Sequence, residues 1–210
     1  MELKKFCILS FLFFHISLFN LACFNIGTSM VKLNYQPKED NQALLASASP
    51  TRFKLNNLID YREEKFEAIL IGRKEAAWEM PIGDVHSNRP IFVIMSEAVR
   101  TTLIRCGHKI VRENSDIVLS GKIITFWAST PATELYWDVT GEVSIVLEAK
   151  RPQDSSHVNL GPYSGKRVER TYSNPNDEIL KRVLEGSIDD TMRAMSNDKL
   201  LVQMLKKDKR

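Results

Sequence analysis

Trp137, Val139, Val143, Ile145, Leu147 and Ala149 alternate with Asp138, Thr140, Glu142, Ser144 and Glu148, which is the sharpest period-two stretch of the chain. Such alternation turns one face of a strand to a core and the other to water, so residues 136–150 predict an antiparallel strand buried on one side. Residues 116–127 predict the strand before it. There Ile117, Leu119, Ile123 and Trp127 point one way and Val118, Ile124 and Phe126 the other, as in a central strand with apolar residues on both faces. After a polar loop over 151–162, residues 163–172 carry Lys166, Arg167, Glu169 and Arg170, the charge load expected of an edge strand. Shorter extended pieces are predicted earlier: Val31, Leu33 and Tyr35, then Phe53 and Leu55 running through Ile59 into Asp60-Tyr61-Arg62, then residues 68–73, and later 109–112. Residues 38–50 read as a surface loop with a brief turn at Leu44 and Leu45. Residues 75–89, with Trp78, Met80, Pro81 and Gly83 but no sustained period, read as a long loop.

Two stretches carry the 3.6-residue period instead. From Pro90, with Ser87 or Asn88 available as a cap, Ile91, Met95, Ala98, Val99, Thr102 and Cys106 form one stripe widened by Phe92 and Leu103. Gly107 follows where a left-handed C-terminal cap is expected. A second helix starts at Asn174-Pro175-Asn176-Asp177 and carries Ile179, Leu180, Val183, Leu184, Ile188, Met192 and Met195. A short turn with Leu200, Leu201, Met204 and Leu205 comes after it. The order of elements predicts an α+β fold, a mostly antiparallel sheet with two amphipathic helices packed on one face, as a single domain over residues 30–210 with a basic C-terminal tail.

The start of the chain changes the picture by giving that domain an address. Glu2, Lys4 and Lys5 precede an apolar run from Phe6 to Phe19, too short for the roughly 20 residues a membrane-spanning helix needs, so residues 1–22 read as a signal peptide. Asn20-Leu21-Ala22-Cys23 resembles the lipobox of bacterial lipoproteins, which implies thioether attachment of a diacylglyceryl group to Cys23, cleavage before it and acylation of the new amino terminus, with acyl chains such as palmitate. Lipoboxes usually carry Leu where Asn20 stands. An ordinary secretory signal cut nearby and an uncleaved signal anchor are the alternatives. Residues 23–29 would then be the lipidated Cys and a short tether, leaving Cys106 as the one thiol of the domain and no internal disulfide. Phe24 replaces the Asp that retains enteric-type lipoproteins in the inner membrane, so the resemblance implies an outer-membrane anchor.

Composition is that of an ordinary globular chain, 26% charged and 43% hydrophobic, with a formal net charge of +3 that does not point to nucleic acid. The basic cluster at Lys206, Lys207, Lys209 and Arg210 reads as a solvated tail, with weak attraction to anionic headgroups as the alternative. His86, His108 and His157 stand apart, with no His-x-His or His-Glu-x-x-His spacing, so no metal or cofactor is expected. Asp84, His86 and Ser87 hold the residue types of a hydrolase triad, but neighbours on one loop rarely meet in that geometry. Cys106, on an apolar stripe, reads as a core residue. Asp60 and Arg62 face one side of an extended segment and need not pair with each other; a structural salt link to another strand or a loop is favoured over a ligand site. Trp127, Tyr136 and Trp137 either line a groove or belong to the core.

Asp60-Tyr61-Arg62 with Ile71-Gly72 downstream, an amphipathic helix ending in Gly, and the run from Ser115 to Ile123 resemble the YajG-type and ABC-transport-auxiliary envelope lipoproteins. The strand from Trp137 and Tyr163-Ser164-Gly165 continue the likeness. The resemblance implies a fold like the amino-terminal domain of TolB or like LptE, and a non-catalytic accessory role. The expected protein is therefore not an enzyme. It is a module held to the outer membrane by acyl chains on Cys23, facing the periplasm, and binding or assembling an envelope protein or lipid-like ligand. A surface-exposed interaction protein or adhesin is the second reading.

Overall fold

The computed structural model describes residues 27–36, 43–62, 67–76, 79–153 and 156–206. In chain order these form β1 (Ser29–Val31), a 3-10 turn (Leu44–Ser47), β2 (Arg52–Leu55), β3 (Ile59–Asp60), β4 (Leu70–Glu75) and β5 (Pro81–Ser87). Then come α1 (Ile91–Arg105), β6 (Lys109–Ile110), β7 (Ile117–Thr130), β8 (Trp137–Lys150), β9 (His157–Thr171), α2 (Asp177–Ser196) and α3 (Lys199–Lys206). The segment 1–26 with Cys23, the loop residue Trp78 and the tail from Lys207 lie outside the described residues.

The framework is the antiparallel meander β7–β8–β9. On β8, Val139, Gly141, Val143, Ile145, Leu147 and Ala149 all face the core, as the alternation predicts. On β7 the two-faced reading is corrected. The register slips between Ile123 and Thr125, so Ile124 is the extra residue of a β-bulge and the alternation changes phase there. Ile117, Leu119 and Ile123 before the bulge, and Phe126, Ala128 and Thr130 after it, are therefore buried on one face. Trp127 turns to the other. The strand β9 begins at His157, inside the stretch expected to be loop, because thirteen cross-strand partners on β8 hold it extended. It pairs with β8 alone among the described strands and is a charged edge.

Along the free side of β7 lie three short strands end to end, all parallel to it: β2 against its start, β3 at its middle and β4 at its end. Asn56 to Leu58 break the expected single strand between β2 and β3. Outside this row, β6 pairs parallel with β2, β5 antiparallel with β4, and β1 parallel with β5. The sheet is therefore mixed, although the long pairings are antiparallel. The strand β5 replaces most of the long loop expected over 75–89. Its own alternation is weak, and pairing on both sides, not local pattern, makes it a strand. After Val31 the chain leaves β1, and polar contacts carry it across to α2: Asn34 N–H donates to Glu185 Oε1 and Tyr35 Oη to Asp189 Oδ1, each at 3.1 Å.

The helices cover one face of the sheet and share one core with it. On α1 the buried stripe is the expected one plus Ile94, with Phe92 only partly buried at its margin. The helix begins without a side-chain cap, since Asn88 Oδ1 accepts from Leu33 N–H and the Ser87 hydroxyl faces backbone carbonyls. At its end Gly107 has φ +86, with Gly107 N–H on Ile104 O and His108 N–H on Leu103 O, a Schellman ending. On α2, Asn176 Oδ1 accepts from Ile179 N–H at 3.0 Å, and every residue of the expected stripe is buried. This helix lies so close to β8 and β9 that a Cβ on Gly141 would sit 2.7 Å from Val183, and one on Gly165 would strike Ser187 O. A third helix, α3, stands where a turn was expected. Asp198 Oδ1 accepts from Leu200 N–H at 2.6 Å to start it, and burial of Leu201, Val202, Met204 and Leu205 holds it.

The strand directions give the molecule two distinct ends. β7 and β4 finish, β8 and β5 start, and β9 finishes at one end, and the chain enters β1 there, with Gly27 N–H on Ile82 O. At the other end, about 40 Å away along the 14 residues of β7, lie the starts of β2, β7 and β9 and the end of α3.

Candidate functional site

At that second end, the 3-10 turn and the chain leading into β2, the start of β7, Arg151 just past β8 and the last turn of α3 enclose a cleft of 530 Å³. This falls within the roughly 300–1,000 Å³ typical of small-ligand sites. Thr51, Asp116, Ile117, Arg151, Leu205 and Lys206 are among its lining.

Two side chains build it. His108, just past the end of α1, is buried, and its ring touches Phe53 edge-to-face at 5.2 Å. Thr51 N–H donates to its Nδ1 and its Nε2 lies 3.2 Å from Leu45 O, an arrangement that fixes the neutral ring with the proton on Nε2. Burial pushes the His108 pKa below its ordinary value, with the Leu45 carbonyl opposing. His108 thus ties the 3-10 turn to Thr51, a residue of the cleft lining just before β2. Arg151, also buried, donates from Nη2 to Met204 O, an end carbonyl of α3 that has no partner within the helix.

At the rim Arg52 and Asp116 form a forked pair, with Nη2 to Oδ1 at 2.6 Å, and Arg52 N–H also donates to Asp116 Oδ2 at 2.8 Å. The hydrogen bond from Arg52 holds the Asp116 carboxyl below its usual range. The cleft therefore presents a neutralised ion pair at its rim, Lys206, and an aliphatic wall from Ile117 and Leu205. Its hydroxyls face backbone: Ser47 Oγ donates to Leu44 O and Thr51 Oγ1 to Ser49 O.

Asp84, His86 and Ser87 share β5 but are not brought together. Asp84 pairs with Arg73 at 3.4 Å, and Ser87 lies on the opposite side of the strand, between Ile69 O and Arg89 O. Asp60 and Arg62, whose spacing does not require pairing, do pair: Nη2 to Oδ2 is 2.9 Å and Nε to Oδ1 is 3.0 Å. Arg62 N–H also donates to Asp60 Oδ1 at 3.3 Å, and the Arg62 side chain folds back onto the same carboxylate. Its guanidinium, 4% exposed, also donates to Leu70 O and Glu67 O and so clamps β3 to β4. Cys106 is buried in the core. Trp137 packs at the edge of that core, whereas Tyr136 makes an edge-to-face contact with Tyr172 at 6.4 Å and lies under the Arg170 guanidinium at 3.8 Å. Arg151 and His108 were not legible as builders of a site, because their partners are backbone atoms of residues 53 and 63 positions away.

Among the described residues no group of three or more His, Cys, Asp or Glu is placed to share a metal ion, and no helix is long and apolar enough to cross a membrane. No curated protein matches the chain. Protein XCC0632 from Xanthomonas campestris superposes with a TM-score of 0.58 at 8% identity, over 86% of this chain and 98% of that one, and shares this fold. Two weaker likenesses carry no argument. A putative neuraminyllactose-binding hemagglutinin homolog from Helicobacter pylori has a TM-score of 0.36, 9% identity and coverage of 82% and 97%. Lipoprotein GNA1162 from Neisseria meningitidis has a TM-score of 0.31, 13% identity and coverage of 64% and 92%. The family model Lipoprotein_16, described as uncharacterized lipoprotein, matches residues 58–206, the greater part of the chain, which therefore belongs to that lipoprotein family.

Proposed function

We propose that the protein is a non-catalytic module of the cell envelope, anchored at the outer membrane by acyl chains on Cys23, that binds or assembles a partner protein. Membership of a lipoprotein family carries this reading, together with a cysteine placed at the end of a signal-like run and four residues before Gly27. One acyl chain anchors only marginally and two or three hold stably, so no spanning helix is required. The cleft near Arg151 lies at the end of the sheet away from that tether, where a partner in the periplasm can reach it. The resemblance to YajG-type and ABC-transport-auxiliary lipoproteins supports the same role.

The test is cross-linking in intact cells of a carboxy-terminally tagged copy, beside a Cys23→Ala control, with mass spectrometry of the captured proteins and of the amino-terminal peptide. A peptide starting at an acylated Cys23, and envelope proteins captured only with the anchored form, are the expected results. An unmodified Cys23, or capture of extracellular ligands alone, overturns the reading and favours a secreted or surface-displayed binding protein.

A further inference from the structure

Three large apolar side chains project into solvent at the end of the sheet where the chain enters: Met80 at 54% exposure, Leu135 at 77% and Tyr172 at 77%. Met80 stands just before β5, Leu135 at the tip of the β7–β8 connection, and Tyr172 just after β9. All three strand ends belong to the same rim of the sheet as Gly27.

These side chains are displayed by built structure. In the β7–β8 connection the Thr133 hydroxyl accepts from Leu135 N–H at 3.3 Å and from Tyr136 N–H at 3.0 Å, while Thr133 N–H donates to Tyr136 O at 2.8 Å. The aromatic post beside it is equally fixed: Tyr172 against Tyr136, Tyr136 under Arg170, and Arg170 forked onto Asp138 at 2.8 and 2.9 Å. Four strand spacings separate β5 from β9, so Met80 and Tyr172 mark two supports about 20 Å apart.

The length of chain outside the described residues selects the occupant. Gly27 follows Cys23 by four residues, which span at most about 14 Å. With acyl chains on Cys23, this rim must lie against the bilayer. We propose that it is a lipid-facing surface, with Leu135, Tyr172 and Met80 seated at the boundary between headgroups and acyl chains. Tyrosine suits that depth because its ring is apolar and its hydroxyl reaches water. Exposed Glu79 and Glu134 lie beside these side chains, and Arg170 is already paired, so the contact is apolar and does not depend on acidic headgroups. Two supports keep the sheet upright and hold the cleft about 40 Å from the lipid.

This inference rests on the Cys23 anchor, and the experiment separates the two. Full-length protein is reconstituted in phosphatidylcholine vesicles containing a lipid brominated near the top of its acyl chain. An environment-sensitive fluorophore is placed at Leu135→Cys or Tyr172→Cys, and at the far end at Glu113→Cys; Cys106 is buried and does not compete. Mass spectrometry of the same samples reads the acyl group on Cys23, and circular dichroism confirms the fold. The expected result is an acylated Cys23 with blue-shifted, quenched emission at 135 and 172, unchanged by raised salt, and none at 113. Replacing Leu135→Ser and Tyr172→Ser together should reduce quenching of a label at Met80→Cys. An acylated Cys23 without quenching at 135 and 172, or with equal quenching at 113, overturns the lipid-facing rim and leaves the anchor standing. An unacylated Cys23 overturns both.

Discussion

The body of the sheet under α2 and the end of the sheet around the cleft are held by different physics. Under α2 the contacts are continuous and apolar: Phe126, Val143, Ile145, Leu184 and Ile188 are fully buried, and Gly141 and Gly165 let the helix backbone settle onto the strands. Even the buried hydroxyls there serve close approach, since Ser187 Oγ donates to Gly141 O at 2.8 Å and Thr191 Oγ1 to Val143 O at 3.2 Å. Around the cleft, single polar side chains meet backbone groups brought in from distant parts of the chain. His108 holds the 3-10 turn and Arg151 holds the end of α3. Apolar burial is spread over many atoms and opens only with global unfolding, whereas one hydrogen bond can open locally. The end of the sheet around the cleft therefore depends on single polar contacts that the body of the sheet does without.

The comparison can be broken at four points, and the largest effect is expected in the core. Phe126→Ala should cost about 3–5 kcal/mol in chemical denaturation, with all probes moving together. If only one element of the sheet melts, the core is not one cooperative unit. Gly141→Ala should cost up to about 3 kcal/mol, because the new methyl meets helix backbone rather than a side chain that can move aside. An unchanged midpoint would show that α2 lifts without penalty. Arg151→Ala should cost about 2 kcal/mol by leaving the Met204 carbonyl without its buried donor, and amide exchange should quicken in α3 while α2 stays protected. Uniform loss of protection in both helices would place Arg151 in the global core instead.

The smallest effect should be a pH dependence at His108. Its pKa is lowered in the folded protein, so below the ordinary value of 6.5 the unfolded chain binds the extra proton first. The contribution of the neutral ring is therefore complete above about 6.5 and declines as pH falls from there toward the folded value. Protonation would also turn Nδ1 from acceptor to donor against Thr51 N–H. Denaturation midpoints of wild type and His108→Gln should converge as pH falls through this window. Parallel curves would remove His108 from the account.

How much was legible follows the same division. The strand Trp137–Lys150 and the helix Asp177–Ser196 were plain because each buries one continuous apolar face whose period survives into the fold. The bulge at Ile124 defeated the same reasoning: one inserted residue inverts every later position, and nothing local marks it. The strand Pro81–Ser87 was hidden for another reason, since its extended form comes from pairing with β4 and β1 rather than from its own alternation. Asp60 and Arg62 stand out in the sequence, but their mutual pairing depends on the Arg62 side chain folding back onto the Asp60 carboxylate, which spacing alone does not reveal.

The α+β class, the two long amphipathic helices, the one-sided β8 strand and the charged edge can all be read from the order of residues, as can the resemblance of residues 20–23 to a lipoprotein processing site. Each is a property of neighbours in the chain, where period and composition act directly. The folded chain alone sets which end of the sheet receives the chain and which end holds the cleft. It also decided that Leu135, Met80 and Tyr172, far apart in sequence, share one rim. Strand order and direction are set by long-range hydrogen bonding and by the fit of helix to sheet, and those terms exist only once the chain has closed on itself.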